Sequence, residues 1–170
     1  ADRTSEFTQL DVEMSFIDEE DILALIERLH VQIIDELSEK RLLSDPFPRL
    51  TYAEALDRYG TDAPDLRFDM QLIDVATVVD GGGFRAFDAT LAAGGVVRAL
   101  VLPDCAGYSR KQVDELVEFA RRYGAKGLIS IARNAEGFRS PLLKVFDEDR
   151  VNDLVDRLDL QEGDLAVIVA

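Results

Sequence analysis

The sequence predicts an α+β fold, in which helices cover one face of a mostly antiparallel sheet. Three observations indicate it. Apolar and polar residues alternate over residues 6–16, several helix-start signals precede apolar residues spaced three and four apart, and short apolar runs lie between glycines. Alternation is typical of half-buried strands, and the wider spacing is typical of amphipathic helices. With 47% hydrophobic and 31% charged residues, the composition excludes disordered, collagen-like and disulfide-scaffold proteins.

The first predicted strand covers residues 6–16. One face carries Thr8, Leu10, Val12, Met14 and Phe16, and the other carries Phe7, Gln9, Asp11, Glu13 and Ser15. Successive side chains of a strand point to opposite faces, so the second set forms a polar face with one aromatic ring. From the residues alone, this face is either a solvated outer surface or the lining of a binding site.

Four helices are predicted from their capping residues, which are Asp18, Thr51, Ser109 and Asp147. The first runs to about Glu39 with one apolar stripe, and the second ends at Gly60. Thr51 and Ser109 are each followed three residues later by Glu or Gln, the pattern of a capping box.

The second half of the chain reads as β-β-α-β-β-α-β from Phe84. The expected strands are 84–87, 96–102, 127–132, 140–146 and 165–169, with helices after Ser109 and Asp147. Gly81–Gly83 is interpreted as a turn, because no Lys-Ser/Thr pair follows it and no helix is expected after it. A change of pattern near residues 67–74 predicts two domains, 1–69 and 70–170.

The charge is strongly acidic and unevenly distributed. There are 34 acidic and 19 basic residues, for a net charge of −15, which opposes non-specific nucleic-acid binding. Residues 98–144, however, hold nine basic and five acidic side chains. This basic stretch is either ordinary solvated helix ends and strand edges or a local surface for a polyanion. It includes Arg110, Lys111, Arg121, Arg122, Lys126, Arg133, Arg139 and Lys144.

A single cysteine, Cys105, excludes an internal disulfide and a cysteine-built zinc site. We identify no metal ligands. The apolar runs are too short to span a membrane, and no export leader is evident. We therefore expect a cytoplasmic protein without a membrane partner.

Three separated regions, within residues 1–16, 46–68 and 109–128, resemble bacterial-type aspartyl-tRNA synthetases of class II. Residues 1–16 resemble the second half of motif 2, and residues 46–55 and 58–68 resemble the segments that follow. Ser109-Arg-Lys-Gln112 and Tyr123–Leu128 resemble the GAD insertion domain of the same family. The resemblance implies part of an antiparallel catalytic sheet, followed by a two-layer GAD domain.

The resemblance also implies an activity and its residues. The family activates aspartate with ATP and esterifies it to tRNA; Mg²⁺ is implied, and the parent protein would be a homodimer. The tRNA would be that for aspartate, with that for asparagine left open. By position, Arg3, Thr4 and Phe7 would bind ATP, Asp11 would meet the ammonium group of aspartate, and Gln9 and Glu13 would line the same pocket. A guanidinium, an aromatic plate and a carboxylate suit phosphate, adenine and ammonium, respectively.

The sequence departs from the family in ways that bear on activity. Thr4-Ser5 replaces the usual Gln-Pro, and Ala63 replaces a usual Lys. The arginines of motifs 2 and 3, motif 1 and the anticodon-binding barrel are not among these 170 residues. We therefore expect a fragment that is inactive alone. The alternative is a stand-alone RNA-binding or adaptor module built on the GAD domain. Under either hypothesis, Arg110, Lys111, Arg121, Arg122 and Lys126 are candidate tRNA contacts.

Overall fold

A computed structural model describes residues 6–68 and 70–170 and divides the chain into two compact units, residues 1–49 and 50–170. The first unit contains helix α1 (Glu19–Leu37). The amide of Asp21 donates to the Asp18 carboxylate at 3.2 Å, and the Asp18 amide donates back to Asp21 at 3.1 Å. This reciprocal cap satisfies two amides that the first turn leaves unpaired, and it confirms the predicted helix start.

The predicted strand at residues 6–16 is not formed. These residues have no regular secondary structure, and their side chains are exposed; Phe7 exposes 73% of its surface. A strand needs a neighbour to accept its backbone hydrogen bonds, and the described residues of this unit provide no second strand. The alternation is present in the sequence, but the prediction of a strand within this chain is wrong.

The second unit contains a five-stranded sheet in the order β1-β2-β5-β3-β4, with every neighbouring pair antiparallel. Its strands are β1 (Ile73–Asp74), β2 (Arg98–Leu102), β3 (Ile129–Asn134), β4 (Gly137–Arg139) and β5 (Leu165–Val169). Its helices are α2 (Tyr52–Tyr59), α3 (Ala76–Val79), α4 (Arg85–Ala92), α5 (Arg110–Arg122) and α6 (Glu148–Leu158). Two short 3₁₀ helices cover Leu66–Phe68 and Pro141–Lys144. The predicted α+β class with an antiparallel sheet is confirmed.

The main core lies on one face of this sheet. Ala166 and Ile168 of the central strand β5 meet buried side chains of α3, α4 and α6. Helix α6 contributes Val151, Leu154, Val155 and Leu158. These four residues recur three and four positions apart, so one stripe of the helix is buried. Burial of this stripe holds α6 on the sheet.

Helix α5 lies on the opposite face, which differs from the expected one-sided arrangement. Leu165 alternates with Ala166 along β5, so its side chain points away from the main core. There it forms a smaller cluster with Ala106 and Ala132, against which Leu116 of α5 packs. No residue of α5 is fully buried, so the helix rests on the sheet with most of its surface in solvent.

Two predicted strands have other structures. Phe84–Phe87 precedes and begins helix α4, because Phe84, Phe87 and Leu91 have helical spacing and Phe87 is buried in the core. A helix therefore does follow Gly81–Gly83, contrary to the expectation, although no Lys-Ser/Thr pair accompanies it.

The predicted strand at 140–146 is a 3₁₀ helix, and the partner of β3 is instead Gly137–Arg139. Pro141 has no amide hydrogen for a sheet ladder, and the Ser140 hydroxyl accepts a hydrogen bond from the Leu142 amide at 3.1 Å.

The short elements β1 and α3 were not predicted from the sequence. Helix α2 belongs to the same unit and contacts the edge of the sheet. The Leu72 amide, just before β1, donates to the Arg58 carbonyl at 2.7 Å, and Arg98 of β2 lies 2.5 Å from Asp57. The division at 49/50 thus falls before the predicted boundary at 69/70, and the predicted domains 1–69 and 70–170 stay a prediction.

Candidate functional site

The segment predicted to bind ATP and aspartate lies partly outside the described residues. Arg3 and Thr4 fall there. Phe7, Gln9, Asp11 and Glu13 are described and exposed. Among residues 6–68 and 70–170, no hydrogen bond or ion pair joins Gln9, Asp11 or Glu13 to another side chain. Their roles stay predictions, made from the resemblance.

The five candidate RNA contacts all lie on or just after α5. The helix begins with a reciprocal cap, in which the Ser109 amide donates to the Gln112 side chain at 3.0 Å and the Gln112 amide donates to the Ser109 hydroxyl at 3.4 Å. Arg110 and Lys111 occupy its first turn, whereas Arg121 and Arg122 occupy its last turn and Lys126 follows. A helix rises about 1.5 Å per residue, so Lys111 and Arg121 are about 15 Å apart along the axis. The structure therefore separates these cations into two groups.

The two groups have different ionic environments. Lys111 lies 3.9 Å from Glu115, and Arg121 lies 2.7 Å from Glu118. Beyond the Glu118–Arg121 pair the chain carries no acid until Glu136, and Arg122 and Lys126 have no ion pair among the described residues. The C-terminal end of α5 is therefore locally cationic in a chain of net charge −15.

Two exposed aromatic rings lie at the same end of α5. Phe119 and Tyr123 expose 58% and 79% of their surfaces. Their ring centroids are 5.0 Å apart, and their planes are tilted by 49°. Phe119, Arg122 and Tyr123 stand three and four residues apart, so they share one side of the helix. The sequence reasoning missed these rings, although their helical spacing from Leu116, by three and seven residues, was a signal that could have found them.

Other cations of the basic stretch are engaged within the fold. Arg133 donates to the Leu160 carbonyl at 2.6 Å, and Arg139 donates to the carbonyls of Ala106 and Tyr108 at 2.9 and 2.8 Å. These guanidinium groups donate to backbone carbonyls in loops, which have no partner in the hydrogen-bond pattern of the sheet. They are structural, and Lys144 stands apart at the end of the 3₁₀ helix Pro141–Lys144. The remaining cations of the list cluster on or just after α5, which is therefore the candidate polyanion surface.

A groove of about 600 Å³ opens beside α5, where β3 begins and β5 ends. Its lining is mostly apolar and includes Phe84, Val117, Leu128 and Ile168, while Arg121 and Lys126 supply the positive charge. The volume is in the range of small-molecule sites. Arg121 and Lys126 thus face a concave surface, whereas Arg122 lies with the aromatic rings.

Cys105 and Tyr108 lie in the loop before α5. A hydrogen bond with the Cys105 side chain raises the pKa of Tyr108 above its ordinary value, and charge on the thiol acts in the same direction. The phenol is therefore neutral throughout the physiological pH range, and it is not a candidate base.

The part of the chain that the structure describes holds no group of three or more His, Cys, Asp or Glu side chains arranged to bind a metal. No helix in this part of the chain is both long and apolar enough to cross a membrane.

Comparison with known proteins identifies the C-terminal part of the second unit. Residues 87–170 match the family described as the GAD domain, a region that includes α5, α6 and four of the five strands. The chain contains a GAD domain. The cationic and aromatic end of α5 is thus a surface of the GAD domain, and the predicted resemblance to this domain is confirmed.

The whole chain is similar to bacterial aspartate–tRNA(Asp/Asn) ligases. It is 51% identical to that of Moorella thermoacetica over 170 residues, which are 100% of this chain and 28% of the relative. It is 45% identical to that of Geotalea uraniireducens (100% and 28%) and 46% identical to that of Bacillus subtilis over 171 aligned residues (100% and 29%). The identification from three separated motifs is confirmed, and the chain corresponds to a little over a quarter of these relatives.

Proposed function

We propose that the protein to which this chain belongs is an aspartate–tRNA ligase, which activates aspartate with ATP and esterifies it to tRNA. The observation that carries the proposal is the similarity over the full 170 residues, at 45–51% identity, to three relatives that bear this name. All three are named for both aspartate and asparagine tRNA, which keeps both as candidate substrates. The stand-alone adaptor alternative is not favoured, because these relatives are ligases.

In this proposal the two units have different tasks. Residues 6–16 supply part of the pocket for aspartate and ATP: Asp11 pairs with the substrate ammonium, and Phe7 stacks on adenine. A carboxylate and an ammonium form a charge-assisted hydrogen bond, the strongest class of polar contact available here. The support for these roles is the similarity to the named relatives, which covers residues 6–16.

The GAD domain would supply a surface for tRNA. Arg110, Lys111, Arg121, Arg122 and Lys126 are solvent-facing cations on or after one helix. Phosphate neutralisation by such cations drives nucleic-acid binding. We place the protein in the cytoplasm as a homodimer, in keeping with the family. The chain alone is expected to be inactive, because the family's motif 2 and motif 3 arginines are not in it.

The test is aspartate-dependent ATP–pyrophosphate exchange by the full-length protein. Asp11→Ala should lower kcat/KM for aspartate by at least about 100-fold, mainly through KM, because the substrate ammonium loses its counter-charge. Asp35→Ala, which removes an exposed carboxylate on α1, is the matched control and should leave exchange unchanged. Unchanged exchange in Asp11→Ala would remove the role given to Asp11. No aspartate-dependent exchange by the unaltered protein would overturn the proposed function.

A further inference from the structure

The C-terminal end of α5 combines three features on one small surface. Phe119 and Tyr123 form an exposed aromatic pair with centroids 5.0 Å apart, and Arg122 lies on the same side of the helix. Large aromatic rings are costly to leave in water, and a folded domain has little reason to keep two together at 58% and 79% exposure. The pair is therefore a candidate contact surface.

The charge at this surface identifies the class of partner. From Phe119 to Leu128 there are three basic and no acidic residues, in a chain that holds 34 acids. Arg121 is paired with Glu118 at 2.7 Å, which leaves the charges of Arg122 and Lys126. Arg121 and Lys126 line the adjoining groove on the other side of the helix end, so cations lie on both sides of the aromatic pair. The positive charge would not help to bind an apolar protein partner. A polyanion that contains flat rings would use both the aromatic pair and the cations beside it.

We propose that Phe119 and Tyr123 are a stacking platform for unpaired nucleotides of RNA, with Arg122 as the neighbouring phosphate contact. Bases that are free of a duplex stack on aromatic side chains, whereas bases within an A-form helix are inaccessible. The tilt of 49° between the rings leaves each with a separate face, enough for two bases that are not coplanar. The inference rests on the proposed function in that the RNA would be the tRNA substrate.

The first test uses the 170-residue chain with two probes: a short single-stranded RNA and the duplex formed from it with its complement. We expect tighter binding of the single strand, measured by anisotropy at low salt. Phe119→Ala with Tyr123→Ala should weaken single-strand binding by about tenfold or more, from the usual contribution of stacking. Tyr123→Phe, which keeps the ring, should bind like the unaltered chain.

Matched controls separate stacking from general surface effects. Tyr52 is similarly exposed at 69% and belongs to the same unit, so Tyr52→Ala should leave binding unchanged. Arg122→Gln should reduce the slope of log affinity against log salt by about one, because one phosphate contact is lost. Circular dichroism should show the same helix content in all variants.

Three results would overturn the inference. The first is equal binding of the duplex and the single strand. The second is unchanged RNA binding by the double alanine variant. The third is that the unaltered chain binds no RNA but associates with itself, and that the double alanine variant does not. The last result would make a second copy the partner. In the full-length protein, intact aspartate charging with an unaltered KM for tRNA in the double variant would refute the platform but leave the proposed function standing. If the unaltered full-length protein shows no aspartate-dependent ATP–pyrophosphate exchange, the proposed function is refuted whatever the RNA-binding result.

Discussion

At the scale of single residues, arginines of the GAD domain divide into those that hold the fold and those that face solvent. Arg133 and Arg139 donate to loop carbonyls, and Arg150 donates to the carbonyls of Val78 and Asp80 at 3.0 and 2.6 Å. Arg122 has an exposed side chain at the end of α5. Both groups consist of arginines with similar neighbours in the sequence, so the sequence did not distinguish them. What distinguishes them is whether the fold brings a backbone carbonyl from a distant part of the chain within reach of the guanidinium group.

This division predicts opposite outcomes for two similar substitutions. Arg133→Gln should lower the free energy of unfolding by about 1–3 kcal/mol, because the Leu160 carbonyl loses a charged donor in a partly buried setting. Arg122→Gln should leave stability within about 0.5 kcal/mol, as expected of an exposed site. Urea unfolding of the 170-residue chain measures both. Equal stability of the two variants would contradict the structural role of Arg133.

A second prediction at this scale concerns Asp65. Hydrogen bonds from the side chain and the amide of Arg67 lower its pKa from 3.8 to about 2. Because the folded state favours the charged carboxylate, this contribution to stability is complete above about pH 4 and is lost as the pH falls through 2. Carbon NMR of the Asp65 carboxyl should show the low pKa, and Arg67→Gln should move it back toward 3.8. An ordinary pKa in the unaltered chain would contradict the contact.

At the scale of elements, local chemistry predicted the helices well. Asp18, Thr51, Ser109 and Asp147 each accept a hydrogen bond from a backbone amide of the first turn, as the sequence indicated. Such caps depend on residues three positions apart, so they can be predicted from the sequence without knowledge of the fold. Strand pairing depends on distant segments, and a run as short as Phe84–Phe87 suits a strand or a helix equally. The errors at 6–16, 84–87 and 140–146 all have this origin.

The turn before α4 gives a prediction about an element junction. A Cβ at Gly82 would lie 2.6 Å from the Phe146 ring and 3.0 Å from the Val79 carbonyl oxygen. Gly82→Ala should therefore destabilise the chain by about 1–3 kcal/mol, since Phe146 belongs to the core and has little room to move. Gly107→Ala is the control, because a Cβ there meets nothing within 4 Å. Thermal unfolding compares them, and equal midpoints would contradict the tight packing at Gly82.

At the scale of the whole molecule, the two units differ in how much of the proposed function can be read from them. The second unit, which includes the GAD domain, has its own sheet and core, so its surface at α5 is defined by the chain itself. The residues proposed to bind aspartate and ATP lie in a segment without regular structure, and the family resemblance rather than geometry gives them their roles. Physical reasoning placed Phe7, Gln9, Asp11 and Glu13 on one face, but only the resemblance favoured a substrate pocket over a solvated surface.

The central claim is that the protein to which this chain belongs charges tRNA with aspartate. The most direct measurement is the transfer of labelled aspartate to tRNA by the full-length protein, in parallel with the 170-residue chain. We predict ATP-dependent charging by the full-length protein and none by the chain, because the family's motif 2 and motif 3 arginines are absent from the chain. Failure of the full-length protein to charge either aspartate or asparagine tRNA with aspartate would contradict the account.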